Sequence, residues 1–146
     1  MGCNDPTLLQ GELKMVQVVK KLFDGDRKAI FSFNATIAGT TAESYTVNAS
    51  DLNANNAGAT CALVDINKVW WSVNNTSVLK PLKLLWDAST DELALTCNYS
   101  DSQDYSSIGG LLNTQATGYS GDTIINFSSV TNDDTATCVI EFLKRY

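Results

Sequence analysis

The sequence predicts an all-β fold: a single antiparallel β-sandwich or jelly-roll-like domain of about eight strands behind an N-terminal arm. Three observations predict it. Apolar and polar residues alternate with a period of two through most of the chain, the signature of half-buried strands. Polar turn clusters separate these runs at fairly regular spacing, which suits a sandwich and not βαβ units. A chain of 146 residues, 44% hydrophobic and 18% charged, suits one domain with its own core.

Residues 1–13 read as the arm and 14–146 as the sandwich domain. Asp5-Pro6-Thr7 resembles a helix start, and Leu9, Leu13 and Val16 keep helical spacing. A loose arm with at most one helical turn, followed by strand, is the reading adopted. Val16 to Phe23 and Ala29 to Ile37 flank Asp24-Gly25-Asp26, a hairpin cue because glycine accepts a positive φ. Phe31, Phe33, Ala35 and Ile37 then face inward. Tyr45, Val47 and Ala49 form a third inward set, and residues 50 to 61 make a polar loop.

Leu63 to Val73 is the heaviest apolar run. Its Trp70 and Trp71 must point to opposite faces of a strand. Either both faces are covered there, or a bulge re-aims one indole. Val78 to Trp86 follows, with Pro81 marking an edge or a strand start. Asp87 to Asp91 is a turn, after which Leu93, Leu95, Cys97 and Tyr99 are expected inward. Ser100 to Asp122 reads as a long glycine-punctuated loop. Thr123–Val130 and Ala136–Lys144 read as a closing hairpin through Asn132-Asp133-Asp134.

The chain has no histidine, which closes mechanisms built on imidazole as base, acid or ligand. A net charge of −6 opposes nucleic-acid binding, which needs a positive surface to replace phosphate counterions. No run approaches the length of a membrane-spanning helix. Met1 to Glu12 lacks the basic-then-apolar order of a Sec-type leader. Cys3, Cys61, Cys97 and Cys138 are too widely spaced for a zinc site; Cys97 and Cys138, on apolar strand faces, read as small packed hydrophobes, and the protein as a reduced one. A Cys97–Cys138 bridge would require neighbouring strands.

Asp87, Asp91 and Glu92 cluster, but the run does not match a calcium loop and reads as turn chemistry. The glycines at 109, 110, 118 and 121 match no phosphate-binding pattern. Trp70, Trp71 and Trp86 are expected in the core, with one indole at a protein interface as the next reading and a sugar-stacking platform after it. Lys20-Lys21, Arg27-Lys28 and Lys144-Arg145 read as solvated surface. No catalytic residue, metal ligand or cofactor is expected.

Three stretches together resemble a known family. They are Phe23-Asp24-Gly25-Asp26-Arg27-Lys28; then Val69-Trp70-Trp71-Ser72-Val73 with Leu84 to Asp91; and then Gly109-Gly110-Leu111 with Gly118 through Gly121-Asp122-Thr123-Ile124-Ile125. In this order they resemble the small β-rich virion structural proteins of tailed bacteriophages, of the marine and cyanophage type. The resemblance runs from about Val16 to Lys144. The chain departs from it at Asn132-Asp133-Asp134, where family members usually carry Gly-Asp.

The resemblance implies a capsid decoration, or cement, protein, assembled in the host cytoplasm and placed on the outside of the head. Its work would be contact with the major capsid protein, with no nucleic acid and no membrane. A homo-oligomer, a trimer at three-fold positions, is expected. Leu8 and Leu9 in the arm, and Ile108, Gly109, Gly110, Leu111 and Leu112 in the long segment, are the expected contact residues. A neck, tail or fibre position, or a host-glycan-binding module, are the alternatives.

Overall fold

The computed structural model describes residues 16–114 and 116–146. The expected contacts at Leu8 and Leu9 and the expected arm, residues 1–13, therefore lie outside the described residues. Nine strands are present among them: β1 (Gln17–Asp24), β2 (Lys28–Thr36), β3 (Glu43–Val47), β4 (Leu63–Asn74), β5 (Leu82–Trp86), β6 (Glu92–Cys97), β7 (Ser100–Asp104), β8 (Thr123–Phe127) and β9 (Thr135–Arg145). They form two antiparallel sheets, ordered β1-β2-β9-β4-β7 and β3-β8-β5-β6.

The pairing is nested. β5 pairs with β6, β4 with β7, β3 with β8 and β2 with β9. A chain folded double about the β5–β6 turn and then rolled up gives this order, which is the jelly roll. β1 adds a fifth strand to one sheet. The all-β sandwich expected from the period-two alternation is the fold observed.

The core lies between the sheets. Phe31 and Phe33 of β2, Val69 and Trp71 of β4, and Ile140 and Phe142 of β9 face Leu82 and Leu84 of β5 and Ile125 and Phe127 of β8, all of them buried. Phe31 and Phe142 meet edge to face at 6.1 Å between ring centres, the geometry that their quadrupoles favour.

Several expectations are corrected. The last two strands are not a hairpin. β8 and β9 lie in different sheets, and residues 128–134 carry the chain across. The expected loop at 100–122 opens with β7, whose five polar residues pair with β4 from Lys68 to Ser72. Val78 and Leu79 are exposed loop residues, and β5 begins one residue after Pro81.

The β1–β2 hairpin forms, but Gly25 does not use a positive φ. A Cβ there would stand 2.6 Å from the tip of the exposed Phe23 ring, which would have to move aside.

Leu93 and Tyr99 point outward. β6 shifts register between the Leu84 and Leu85 partners, leaving Ala94 as an extra residue. A bulge inverts the inside–outside alternation beyond it. Leu95 and Cys97 therefore face the core, and Leu93 does not. A matching bulge at Asn67 of β4 lets both Ile66 and Val69 face inward.

Candidate functional site

The two sheets leave a seam along each side of the sandwich. On the β1–β3 side the seam is a cleft of about 280 Å³, floored by Val19, Phe31, Val47 and Leu52 and rimmed by Lys21 and Asp51. On the β6–β7 side it is a groove of about 400 Å³ between β6 and residues 108–112, with Trp86 at its base. This second seam gathers three exposed aliphatic residues. Leu93 is 51% exposed, Ile108 70% and Leu112 41%.

The groove is built from β4 outward. After β7, Tyr105 donates its backbone N–H to the Asn67 carbonyl at 2.7 Å. A single 3-10 turn, Ser106–Ile108, follows. Leu111 and Ile66 then exchange two backbone bonds, of 2.7 and 3.1 Å. Gly110 is buried between, at φ +98°, where a Cβ would lie 3.2 Å from Leu143 Cδ1. Any other residue is disfavoured there by both conformation and space.

Asp65 anchors the end of this segment. Its Oδ1 accepts the Asn113 N–H at 2.7 Å, and both its oxygens accept from the Arg145 guanidinium, at 2.6 and 2.8 Å. Asn113 in turn donates its amide to the carbonyls of Val64 and Asp122, each at 3.1 Å.

Of the expected contact residues, Ile108, Gly109 and Leu112 stand at the surface. Gly110 is buried, and Leu111 packs partly against the core. These two shape the groove from within. Leu93, which sequence reasoning placed inside, completes it from the other sheet.

Charged residues hold the adjoining end of the sandwich. Lys144 was expected on the surface, but its side chain is 0% exposed. Its ammonium donates to Asp24 Oδ1, the Gly25 carbonyl and the Asn53 carbonyl, each at 2.7 Å. Burial pushes the Asp24 carboxyl up, but bonds from Lys144, Lys21 and the Asn53 N–H outweigh it and hold the carboxyl below its ordinary value. Burial likewise pulls the Lys144 ammonium down, and Asp24 and Tyr146 raise it above its ordinary value.

At the opposite end, buried Asp134 accepts bonds from Ser129 Oγ at 2.6 Å, the Thr76 N–H at 2.7 Å, and Thr76 Oγ1 and Asn75 Nδ2 at 3.0 Å each. Burial raises its carboxyl and these four donors lower it further than burial lifts it. Sequence reasoning missed Asp134 and Lys144 as structural groups. Lys144 had a readable signal, since it follows Cys138, Ile140 and Phe142 at two-residue steps.

The Asp87, Asp91 and Glu92 cluster is turn chemistry. Asp91 accepts the Ala88 N–H and Asp87 accepts the Ser120 hydroxyl. Among the described residues, no three His, Cys, Asp or Glu side chains gather as a metal site would need. Cys97 and Cys138 are buried free thiols on facing sheets, not on neighbouring strands. Burial pushes the Cys97 thiol up to about 12 and raises that of Cys138 as well, so neither is an activated thiolate.

The three indoles divide. Trp86 is 3% exposed, and Trp71 packs inward and donates Nε1 to the Asn98 carbonyl at 2.9 Å. Trp70 points out, 47% exposed. The Asn67 bulge lies three residues earlier in β4, and simple alternation aims the two rings.

No protein-family model and no curated protein matches the chain. Among solved structures, the chain is similar to a cupin domain from Bordetella pertussis, with 10% identity over 89% of this chain and 94% of that one, at a TM-score of 0.33. It is also similar to a protein from Thermus thermophilus, with 7% identity over 91% and 88%, at a TM-score of 0.34. A third is an RmlC-like cupin protein from Desulfovibrio desulfuricans, with 10% identity over 85% and 81%, at a TM-score of 0.29.

Proposed function

We propose that this protein is a non-catalytic virion structural protein of a tailed bacteriophage, a decoration protein that binds the outside of the head and bridges major capsid subunits. The supporting observation is the groove beside β6. Leu93, Ile108 and Leu112 expose aliphatic surface around one concave site. Clustered apolar exposure of this kind marks a protein contact more than a small-ligand site. The groove's walls are held by backbone bonds to β4 and by Asp65, so it is preformed and loses little entropy on binding.

The acidic balance supports a place on the outer surface, away from packaged DNA. The jelly roll also occurs in viral capsid domains, as in other protein classes, so it allows the reading without requiring it. Copies act as trimers at three-fold positions of the shell.

Quantitative mass spectrometry of purified virions tests the reading. The expected result is on the order of hundreds of copies per particle, as symmetric shell positions require. Leu93→Asp combined with Ile108→Asp should leave the protein folded and strip it from the head. About 5, 6 or 12 copies per particle would instead assign it to the neck or tail. Absence from the virion would overturn the reading.

A further inference from the structure

We propose that the outer face of the five-stranded sheet is a binding platform for an uncharged polysaccharide, with Trp70 as its stacking centre. This site is separate from the groove at the β6 seam and stands whatever partner that groove takes.

Trp70 lies on β4, one strand in from the edge, with β9 on one side and β7 on the other. Its backbone is laddered to Val139 and to Ser102. The ring therefore projects from a rigid surface. A large side chain normally buries most of its area, and Trp70 leaves nearly half of its own in water. The core is filled without it, by Trp71 and Trp86. A solvated indole on a sheet suits a flat ligand with one apolar face.

The surroundings are uncharged and rich in hydrogen-bonding groups. Along the row of Trp70 the sheet presents Ser102, Val139 and Ser32. The next row presents Ser100, Ser72, Thr137 and Asn34. Two pairs hold these groups in place: Ser72 Oγ meets Ser100 Oγ at 2.9 Å, and Thr137 Oγ1 donates to Asn34 Oδ1 at 2.8 Å. A pyranose ring needs this combination. Its C–H face stacks on the indole, and its hydroxyls exchange bonds with short hydroxyl and amide side chains.

Charge complementarity selects an uncharged polymer. The bordering row sets Lys68 between Asp104 and Glu141 in register, and Lys20 stands at the far end of the Trp70 row. Lys28 also reaches Glu141, at 3.8 Å, so three cations and two anions leave the border within one charge of balance. A sulfated or uronic polymer would meet no concentrated positive field, and a polyamine no concentrated negative one. Five strands span about 19 Å at the usual strand spacing, which is room for several sugar rings and favours a chain over a monosaccharide.

Affinity electrophoresis of the full chain tests this, in gels cast with laminarin, galactomannan or dextran as neutral polymers and alginate as the polyanion. Tryptophan fluorescence runs alongside. At least one neutral polymer should retard the protein and shift its emission, because Trp70 is the exposed indole. Trp70→Ala should weaken binding about tenfold or more with an unchanged circular dichroism spectrum, and Trp70→Phe should retain part of it. Thr137→Ala with Ser72→Ala should weaken it about threefold, as lost hydrogen bonds to ligand hydroxyls do. Retardation that is unaltered in Trp70→Ala, or a preference for alginate, overturns the proposal. So does a failure of every neutral polymer to retard. If Trp70→Ala changes only a concentration-dependent oligomer, the face is a contact between copies and the proposal falls.

Discussion

Trp70 and Leu93 are exposed to nearly the same extent, 47% and 51%, yet they stand in unlike surroundings. Trp70 rises from the middle of a sheet, among hydroxyl and amide side chains whose positions the β-ladders set. Leu93 sits on the edge strand β6, facing aliphatic residues on a connecting segment. Exposure alone does not distinguish them. What differs is the chemistry of the neighbours and what holds those neighbours in place. The platform depends on backbone pairing. The groove rests on a short backbone bridge, Leu111 to Ile66, and on one carboxylate, Asp65, that ties the segment after β7 to β4 and to Arg145.

The largest expected effect falls on the stability of the sandwich that carries both surfaces. Lys144→Met strips a buried ammonium from Asp24 and from two carbonyls. Breaking such a pair should cost about 3–5 kcal/mol, read as a lower midpoint in urea unfolding. The same side chain carries a pH signature. Its folded value is raised above the ordinary 10.5, so its stabilisation is complete below that value and is lost as pH rises through the raised one. Lys144→Met should lack this alkaline loss. Asp24 and Asp134 are lowered from 3.8, so their contribution is intact above that value and is lost as pH falls through the lowered ones. The acid loss should persist in the variant through Asp134.

A smaller change separates the two surfaces. Asp65→Ala leaves the Asn113 N–H and the Arg145 guanidinium without their carboxylate. It should cost about 1–3 kcal/mol and raise amide exchange across residues 105–113, while Trp70 quenching by acrylamide stays as in the parent. If quenching changes equally, the two surfaces are not independently held. The smallest effect on stability belongs to Leu93→Asp, within about 0.5 kcal/mol because the side chain already meets solvent. A larger loss would show that Leu93 packs more tightly in solution than its exposure indicates.

The fold was legible where alternation is strong. β2 reads from Phe31, Phe33 and Ala35, and β9 from Cys138, Ile140 and Phe142, because one buried face imposes a period of two. β7 was not legible. Its run Ser-Asp-Ser-Gln-Asp has no apolar face, and it is a strand only because β4 offers an open edge. The outward turn of Leu93 was not legible either, since a bulge is decided by pairing with β5 and not by local preference. At the candidate surfaces, Ile108 and Leu112 were expected as contacts and are exposed, whereas Gly110 and Leu111 are drawn inward by the bridge to Ile66.

The sequence by itself determined the all-β class and the inward faces of the central strands; it left open whether a bulge re-aims Trp70 or Trp71. The class and the faces follow from local periodicity, which needs no knowledge of partners. The tertiary structure decided which strands became neighbours, placing β8 and β9 in separate sheets and β7 beside β4. It also decided that Lys144 is buried and that Leu93 lines one groove with Ile108 and Leu112. Each of these depends on groups far apart in the chain, and their energies exist only once the sheets have closed.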